Sequence, residues 1–525
     1  MKPPSTRLLF ILALAFLLLA SACSLTFAGF PTPIISSGPP ATTAPAPTDQ
    51  PAKPSLVPSL LPGPTKTSGP SAPTPTNPSG SSTGAPGSGD PYFPTLGNGG
   101  YDVTHYTIDL SVDMDGGDIA GSTTIEAKTT QPLARFDLDF SGPGITSLSV
   151  DGKTARYTRD GGELVITPAG LLPSGAAFTT VVAYRGLPGA GLPPNTPAFS
   201  EGWVPYTNGI LVSSEPQGQS TWYPLNETPA DKATYTFRIT VAKPFSVAAN
   251  GLQQSVSDNG STRTFVWGTD NPVAPYLVTL AIGKLTEETD TSSGVLVRNY
   301  FDEGYPDAAK AGFARTPQII TYYESLFGPY PFEAYGVIGH NTRLDYSLET
   351  QTLTVFGNSF TTEAVAAHEL AHSWFGDSLT PYHWQDIWLN EGFASFAARM
   401  WQEHTQGTDS VHSSLVKLYS YLVKHESQAI LIGNPGPDDL FSEQVYDRGE
   451  LVLAALRSQL GDDVFFKTLR TYAQRFYHGN VTTKDFIAVA EEVSGQNLDA
   501  FFQAWLYAKP MPDIPGLGLF RKDYL

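Results

Sequence analysis

Two periodicities divide the chain. Between about residues 98 and 286, short runs alternate apolar and polar side chains: Tyr106 to Val112, Thr123 to Ala127, Phe136 to Phe140, Tyr235 to Val241 and Leu277 to Ile282. Gly, Asp, Asn and Pro lie between them. A period of two places successive side chains on opposite faces of a strand, so a largely antiparallel β domain is predicted. Beyond Tyr300 the period lengthens. A helical tract from Pro306 to Phe327 is closed by Phe327-Gly328-Pro329-Tyr330-Pro331-Phe332, and Phe393, Phe396, Ala397, Met400 and Trp401 recur at helical spacing. Leu415, Leu418, Tyr419 and Leu422 do the same, followed by Phe465, Phe466, Leu469 and Tyr472, then Phe501, Phe502, Trp505 and Leu506. These stripes predict helices with one buried face each.

The first 91 residues follow neither period. Lys2 and Arg7 precede an apolar run from Leu8 to Ala20, too short to cross a hydrocarbon layer of about 30 Å, so residues 1–22 are read as a cleaved export signal. Ala20-Ser21-Ala22-Cys23 resembles the lipobox of bacterial lipoproteins, although Ala20 stands where leucine is more usual. That resemblance implies a lipid on Cys23, membrane attachment through it and a location outside the cytoplasm; an ordinary secretory signal is compatible with the same residues. Residues 23–91, rich in Pro, Ser, Thr, Gly and Ala, are predicted to form a disordered tether, because such a segment buries too little apolar surface to offset its ordering entropy. Fully extended, it reaches roughly 200 Å.

The single cysteine excludes an intramolecular disulfide, so stability rests on the core. A formal charge of -19 argues against a nucleic-acid partner, since nothing neutralises phosphates. The boundaries expected are therefore 98–286 for the β domain and 287–525 for a helix-rich domain.

Candidate chemistry concentrates in Ala367-His368-Glu369-Leu370-Ala371-His372-Ser373-Trp374-Phe375-Gly376-Asp377. On a helix, His368 and His372 share one face and can bind one metal ion, with Glu369 beside them as base. Glu391 lies nineteen residues beyond His372, in Trp388-Leu389-Asn390-Glu391-Gly392-Phe393-Ala394, and would supply the third ligand. Two histidines and a carboxylate leave a fourth position for water, the pattern of a catalytic rather than a structural Zn2+ site.

Together, HELAHSWFGD and WLNEGFA resemble the gluzincin aminopeptidases. The resemblance implies an N-terminal antiparallel β domain followed by a thermolysin-like α+β zinc catalytic domain, one Zn2+, and release of N-terminal residues from peptide substrates. Residue by residue it implies that Tyr446, in Gln444-Val445-Tyr446-Asp447-Arg448-Gly449, stabilises the oxyanion, with Arg448 where the family has Lys. It places Glu349 on an edge strand as anchor of the substrate's free amine, and Glu215 of Ser213-Ser214-Glu215-Pro216 as a second acid gripping that amine. Three departures are visible: Tyr346 and Ser347 replace a Gly-Ala pair, and Gln219-Ser220-Thr221 and Asn226 stand where an Arg and an Asp form an ion pair in the family. With Leu525 as the last residue, the family's large C-terminal helical domain is expected to be missing, and with it a more open cleft is expected. An endopeptidase or other hydrolase on the same zinc site, and an inactive surface-binding protein, are the alternatives.

Overall fold

A computed structural model describes residues 82–189, 202–341, 344, 346–359 and 361–525. The expected export signal, Cys23 and the expected tether up to residue 81 lie outside the described residues. All the described residues belong to one compact unit.

An eight-stranded sheet carries the N-terminal part. Its spatial order is Leu252–Asp258, Thr262–Gly268, Thr234–Ala242, Tyr101–Val112, Ile119–Thr129, Ala177–Gly186, Gly144–Val150 and Lys153–Thr154. Tyr101–Val112 shows how the alternation works. Tyr101 and Val103 face the core, and after a register shift between Val103 and His105 the inward set becomes Tyr106, Ile108, Leu110 and Val112. A bulge exchanges odd for even positions, and both halves bury their apolar residues. One pairing departs from antiparallel: Tyr101–Val112 runs parallel to Thr234–Ala242. A four-stranded sheet joins Ser246–Ala249, Leu280–Gly283, Gly209–Ser213 and Gly202–Tyr206. Here the alternation from Leu277 to Ile282 misleads. Pro275–Leu277 is a 3-10 turn and pairing begins only at Leu280, because a proline fixes the backbone at the start of that turn.

A five-stranded sheet follows, in the order Leu285–Asp290, Val297–Asp302, Val337–His340, Thr354–Gly357 and Ser347–Leu348. Its first strand begins before residue 287, so the change of architecture falls slightly earlier than the period change. Its last strand is a short antiparallel edge. Helices pack behind it: α1 (Thr316–Phe327), α2 (Glu363–Ala371), α3 (Trp388–Gln406), α4 (Thr408–Lys424), α5 (Glu443–Leu460), α6 (Asp462–Arg475), α7 (Thr483–Ser494) and α8 (Asp499–Leu506). The helix expected to run from Pro306 is interrupted; Asp307–Lys310 and a 3-10 turn at Ala311–Phe313 precede α1. The stripe Phe393, Phe396, Ala397, Met400 and Trp401 is buried along α3. No helix among the described residues is long and apolar enough to cross a membrane.

The expected tether is too long. Residues 82–91 belong to the folded unit, with Gly84 N–H donating to Arg135 O at 2.9 Å. Asp90 accepts from Tyr92 N and Phe93 N through one oxygen and from Trp384 N, at 2.8 Å, through the other. Composition hides this, since one buried aspartate and a few backbone bonds order the segment without any apolar run.

Candidate metal centre

The metal-binding pattern folds as a helix because its start and end are specified. Thr362 caps α2 by accepting from Val365 N, and His372 closes it with helical dihedrals. The next turn leaves the helix through Gly376, whose φ of 132° favours glycine and where a Cβ would meet His372 Nδ1 at 3.1 Å. The close approach of that turn lets the Phe375 carbonyl reach His372 Nδ1 at 3.1 Å. Holding the proton on Nδ1 points the lone pair of Nε2 toward the site.

Glu391 comes from the first turn of α3. Its Oε2 lies 3.3 Å from His368 Nε2 and 3.6 Å from His372 Nε2. Donors bound to a tetrahedral zinc at about 2.0–2.1 Å stand roughly 3.3 Å apart, so this spacing suits one ion shared by all three. The other nitrogen of His368 faces Ser395 Oγ at 3.5 Å, and the Glu450 carboxylate acts on the same ring. Arg399 holds Glu450 at 2.6 Å. Of the two aspartates near the motif, Asp386 is engaged elsewhere: it accepts from Thr483 N and Oγ1 at the start of α7. Asp377 lies buried near the site, and half-buried Lys232 donates to the carbonyls of Asp377 and Ser378 at 2.7 and 3.1 Å.

Tyr446 stands on the first turn of α5, its ring stacked on His368 at 6.0 Å. The phenol lies close enough to the Glu391 carboxylate to favour its charged form against burial. Two glycines make this possible. A Cβ on Gly392 would lie 2.8 Å from Gly449 Cα, so α3 and α5 touch backbone to backbone beside Glu391 and Tyr446. Arg448 turns the other way, donating to the carbonyls of Trp505, Lys509 and Ala504 at the end of α8. Its work is to cap that helix.

Carboxylates crowd the remaining wall. Donor atoms of Glu349, Glu369 and His372 lie within 4.8 Å of one another, as do those of Glu215, Glu349 and Glu391. Glu215 thus reaches the same pocket from the β domain. Burial raises Glu349 and Glu391 to about 8, with the charge of Glu391 adding to the effect on Glu349. Burial, then Glu349, also raises Glu369 and Glu215. Burial lowers His368 to about 4 and also holds His372 below its ordinary range, so both imidazoles are neutral ligands. Glu349 Oε1 and Asp377 Oδ1 find no hydrogen-bond donor among the described residues. Two neutral imidazoles and several crowded acids form a donor set that a dication satisfies, and one zinc ion fits it.

Where the resemblance would place an Arg and an Asp, the side chains of Gln219 and Asn226 make amide hydrogen bonds. Gln219 accepts from Trp222 Nε1 and donates to Val278 O, both at 2.8 Å, while Asn226 donates to Asp231. Ser347–Leu348 keeps its place as sheet edge despite Tyr346 and Ser347. Sequence reasoning missed Ser395, the Phe375 carbonyl, Asn390 and Tyr276. Ser395 had a signal, since it follows Glu391 by one helical turn; Tyr276, more than a hundred residues upstream, had none.

This assembly is that of a metallopeptidase-type centre at the junction of a β-rich part and a helical part. Residues 315–505 match the peptidase family M1 domain. Among solved structures, a mutant of the M1 zinc metallopeptidase of Deinococcus radiodurans, bound to a Tyr-Ser-Ala substrate, aligns with a TM-score of 0.75 and 30% identity. The alignment covers 81% of this chain and 99% of that one. Aminopeptidase M1-D of Oryza sativa subsp. japonica is 28% identical over 318 residues, 56% of this chain and 36% of the relative. The probable aminopeptidase 2 of Sulfurisphaera tokodaii is 25% identical over 439 residues, 78% of this chain and 54% of the relative. The chain therefore spans about a third to a half of the length of these curated relatives. It belongs to peptidase family M1, whose zinc metallopeptidases carry one catalytic zinc.

Proposed function

We propose that the protein is a zinc-dependent aminopeptidase that releases N-terminal residues from peptides. The observation that carries this reading is the convergence of His368, His372 and Glu391 on one point, with Glu349 and Glu215 beside it. When bound, zinc supplies Lewis acidity and makes water more acidic. Glu369, adjoining Glu349 and His372, takes a proton from the attacking water and passes it to the leaving amine nitrogen, a role commonly contributing about 10²–10⁴-fold. The Tyr446 phenol, kept protonated by burial and then by the charge of Glu391, donates to the substrate oxygen as negative charge develops there. Glu349 and Glu215 hold the substrate's ammonium, which fixes the cut one residue from the amino end.

On this reading the five-stranded sheet and its helices form a thermolysin-like catalytic domain. The sequence pattern around Cys23 supports export and lipid attachment outside the cytoplasm. The test compares unblocked and N-acetylated peptides of the same sequence on metal-loaded protein whose zinc content is measured. Zinc near one per chain, with cleavage of the unblocked peptide alone, is expected. Equal cleavage of both would favour an endopeptidase on the same site.

A further inference from the structure

The parts of the site come from separate stretches of chain, and one turn of the β domain is hydrogen-bonded beside four of them: the stretches carrying His372, Glu391, Glu349 and Glu215. This turn is Pro275–Leu277 together with Val278 and Thr279. The Tyr276 hydroxyl donates to the carbonyl of Gly376 at 3.3 Å and accepts from Asn390 Nδ2 at 3.3 Å. Gly376 follows Phe375, whose carbonyl holds His372, and Asn390 precedes Glu391. One phenol therefore bridges the exit of the histidine helix and the entry of the glutamate helix.

The backbone of the same turn serves the amine pocket. Leu277 O accepts from Gln351 N at 3.2 Å, two residues beyond Glu349, and from Asn250 Nδ2 at 2.9 Å. Asn250 Nδ2 also donates to Gln351 O, at 2.6 Å. Val278 O accepts from Gln219 Nε2 at 2.8 Å, just past the Glu215 loop, and Thr279 Oγ1 donates to Val212 O at 2.8 Å, just before it. The turn is buried, and the Tyr276 ring packs edge-on against Trp384 at 5.0 Å.

We propose that Tyr276 is a positioning residue: its hydroxyl sets the relative placement of His372 and Glu391, and its turn keys that placement to the Glu349 and Glu215 anchors. The inference rests on the zinc aminopeptidase reading and goes beyond it by naming what aligns the two halves of the site.

The test uses Tyr276→Phe in the full chain, with Tyr184→Phe as control. Tyr184 is also a buried phenol, hydrogen-bonded to Thr123 at 2.9 Å in the large sheet, remote in sequence from the site. Zinc affinity is measured by competition with a chelator, and kcat, KM and Tm are measured alongside. Tyr276→Phe should weaken zinc binding by about 10–100-fold, the usual cost of removing a partner behind the ligands, lower kcat and raise KM for an unblocked dipeptide. Tyr184→Phe should lower Tm alone. Wild-type zinc affinity and kcat in Tyr276→Phe would overturn the proposal. Should that variant not fold, Asn390→Ala removes the bridge from its other end, and an unchanged zinc affinity there overturns it equally. A wild-type protein that binds no zinc would instead end the metallopeptidase reading itself.

Discussion

Two groups of carboxylic acids among the described residues, buried except for half-buried Glu163, are built differently. In the β domain, Asp139, Glu163, Glu227 and Asp231 sit together, and each accepts a hydrogen bond. Glu227 takes the N–H groups of Gly218, Gln219 and Ser220, and Asp139 those of Gly97 and Glu227. Asn98 donates to Glu163, and Val103 N and Asn226 to Asp231. Near the metal centre, Glu349 and Asp377 each keep an oxygen with no donor among the described residues. Burial raises the acids of both groups, Glu163 and Asp231 to about 7 and Glu349 and Glu391 to about 8. A raised acid therefore does not by itself mark chemistry. What separates the groups is the density of N–H donors: every acid of the first accepts at least one, although Glu227 Oε2, like Glu349 Oε1 and Asp377 Oδ1, finds no partner among the described residues, and only the second group stands beside two neutral imidazoles.

The contrast is broken or sharpened by neutralising acids one at a time. Glu369→Gln should have the largest effect, lowering turnover by at least about 10²–10⁴-fold with zinc content unchanged; wild-type turnover would remove Glu369 from the chemistry. Glu349→Gln should cost about 1.5–3 kcal/mol, roughly ten- to a hundredfold in kcat/KM, for peptides with a free amine. The ratio of unblocked to N-acetylated cleavage checks this, since an unchanged ratio would separate Glu349 from amine binding.

Glu163→Gln, in the other group, should leave turnover alone and act on stability. Folded, Glu163 keeps its proton to about pH 7, against an ordinary value of 4.5. Unfolding therefore releases a proton between those values, and stability falls as pH rises through that window and levels above it. Removing this group should flatten the decline of Tm between pH 5 and 7 by on the order of 2–4 °C. Thermal melts across that range decide it, and an unchanged slope would show that Glu163 does not hold its proton.

How much of this was legible in the sequence depends on the range of the interaction. His368, His372 and Glu391 could be read because helical periodicity locks the first two, and the Phe393 stripe orients the helix carrying the third. Tyr446, Glu349 and Glu215 were readable only through resemblance, since nothing local distinguishes a phenol or an acid aimed at a distant metal. Arg448 shows the limit of that route. Motif position suggests the site, whereas the geometry sends its guanidinium to the end of α8. Alternation failed at Leu277, where proline fixes a turn, and composition failed at residues 82–91, where Asp90 makes the decisive contacts. Tyr276 was invisible for a related reason: its partners Gly376 and Asn390 meet it only after three elements have packed.

The folded segment beginning at Gly84 reaches further than its ten-odd residues suggest. It starts beside Arg135 in the β-rich part, and Asp90 then binds the backbone of Trp384, the indole that supports Tyr276. Phe93 packs on the same indole, and the Tyr92 hydroxyl accepts from Gly436 N at 2.9 Å. A pull along the polypeptide from its amino-terminal side would therefore load the underside of the catalytic machinery before it loaded the first long strand.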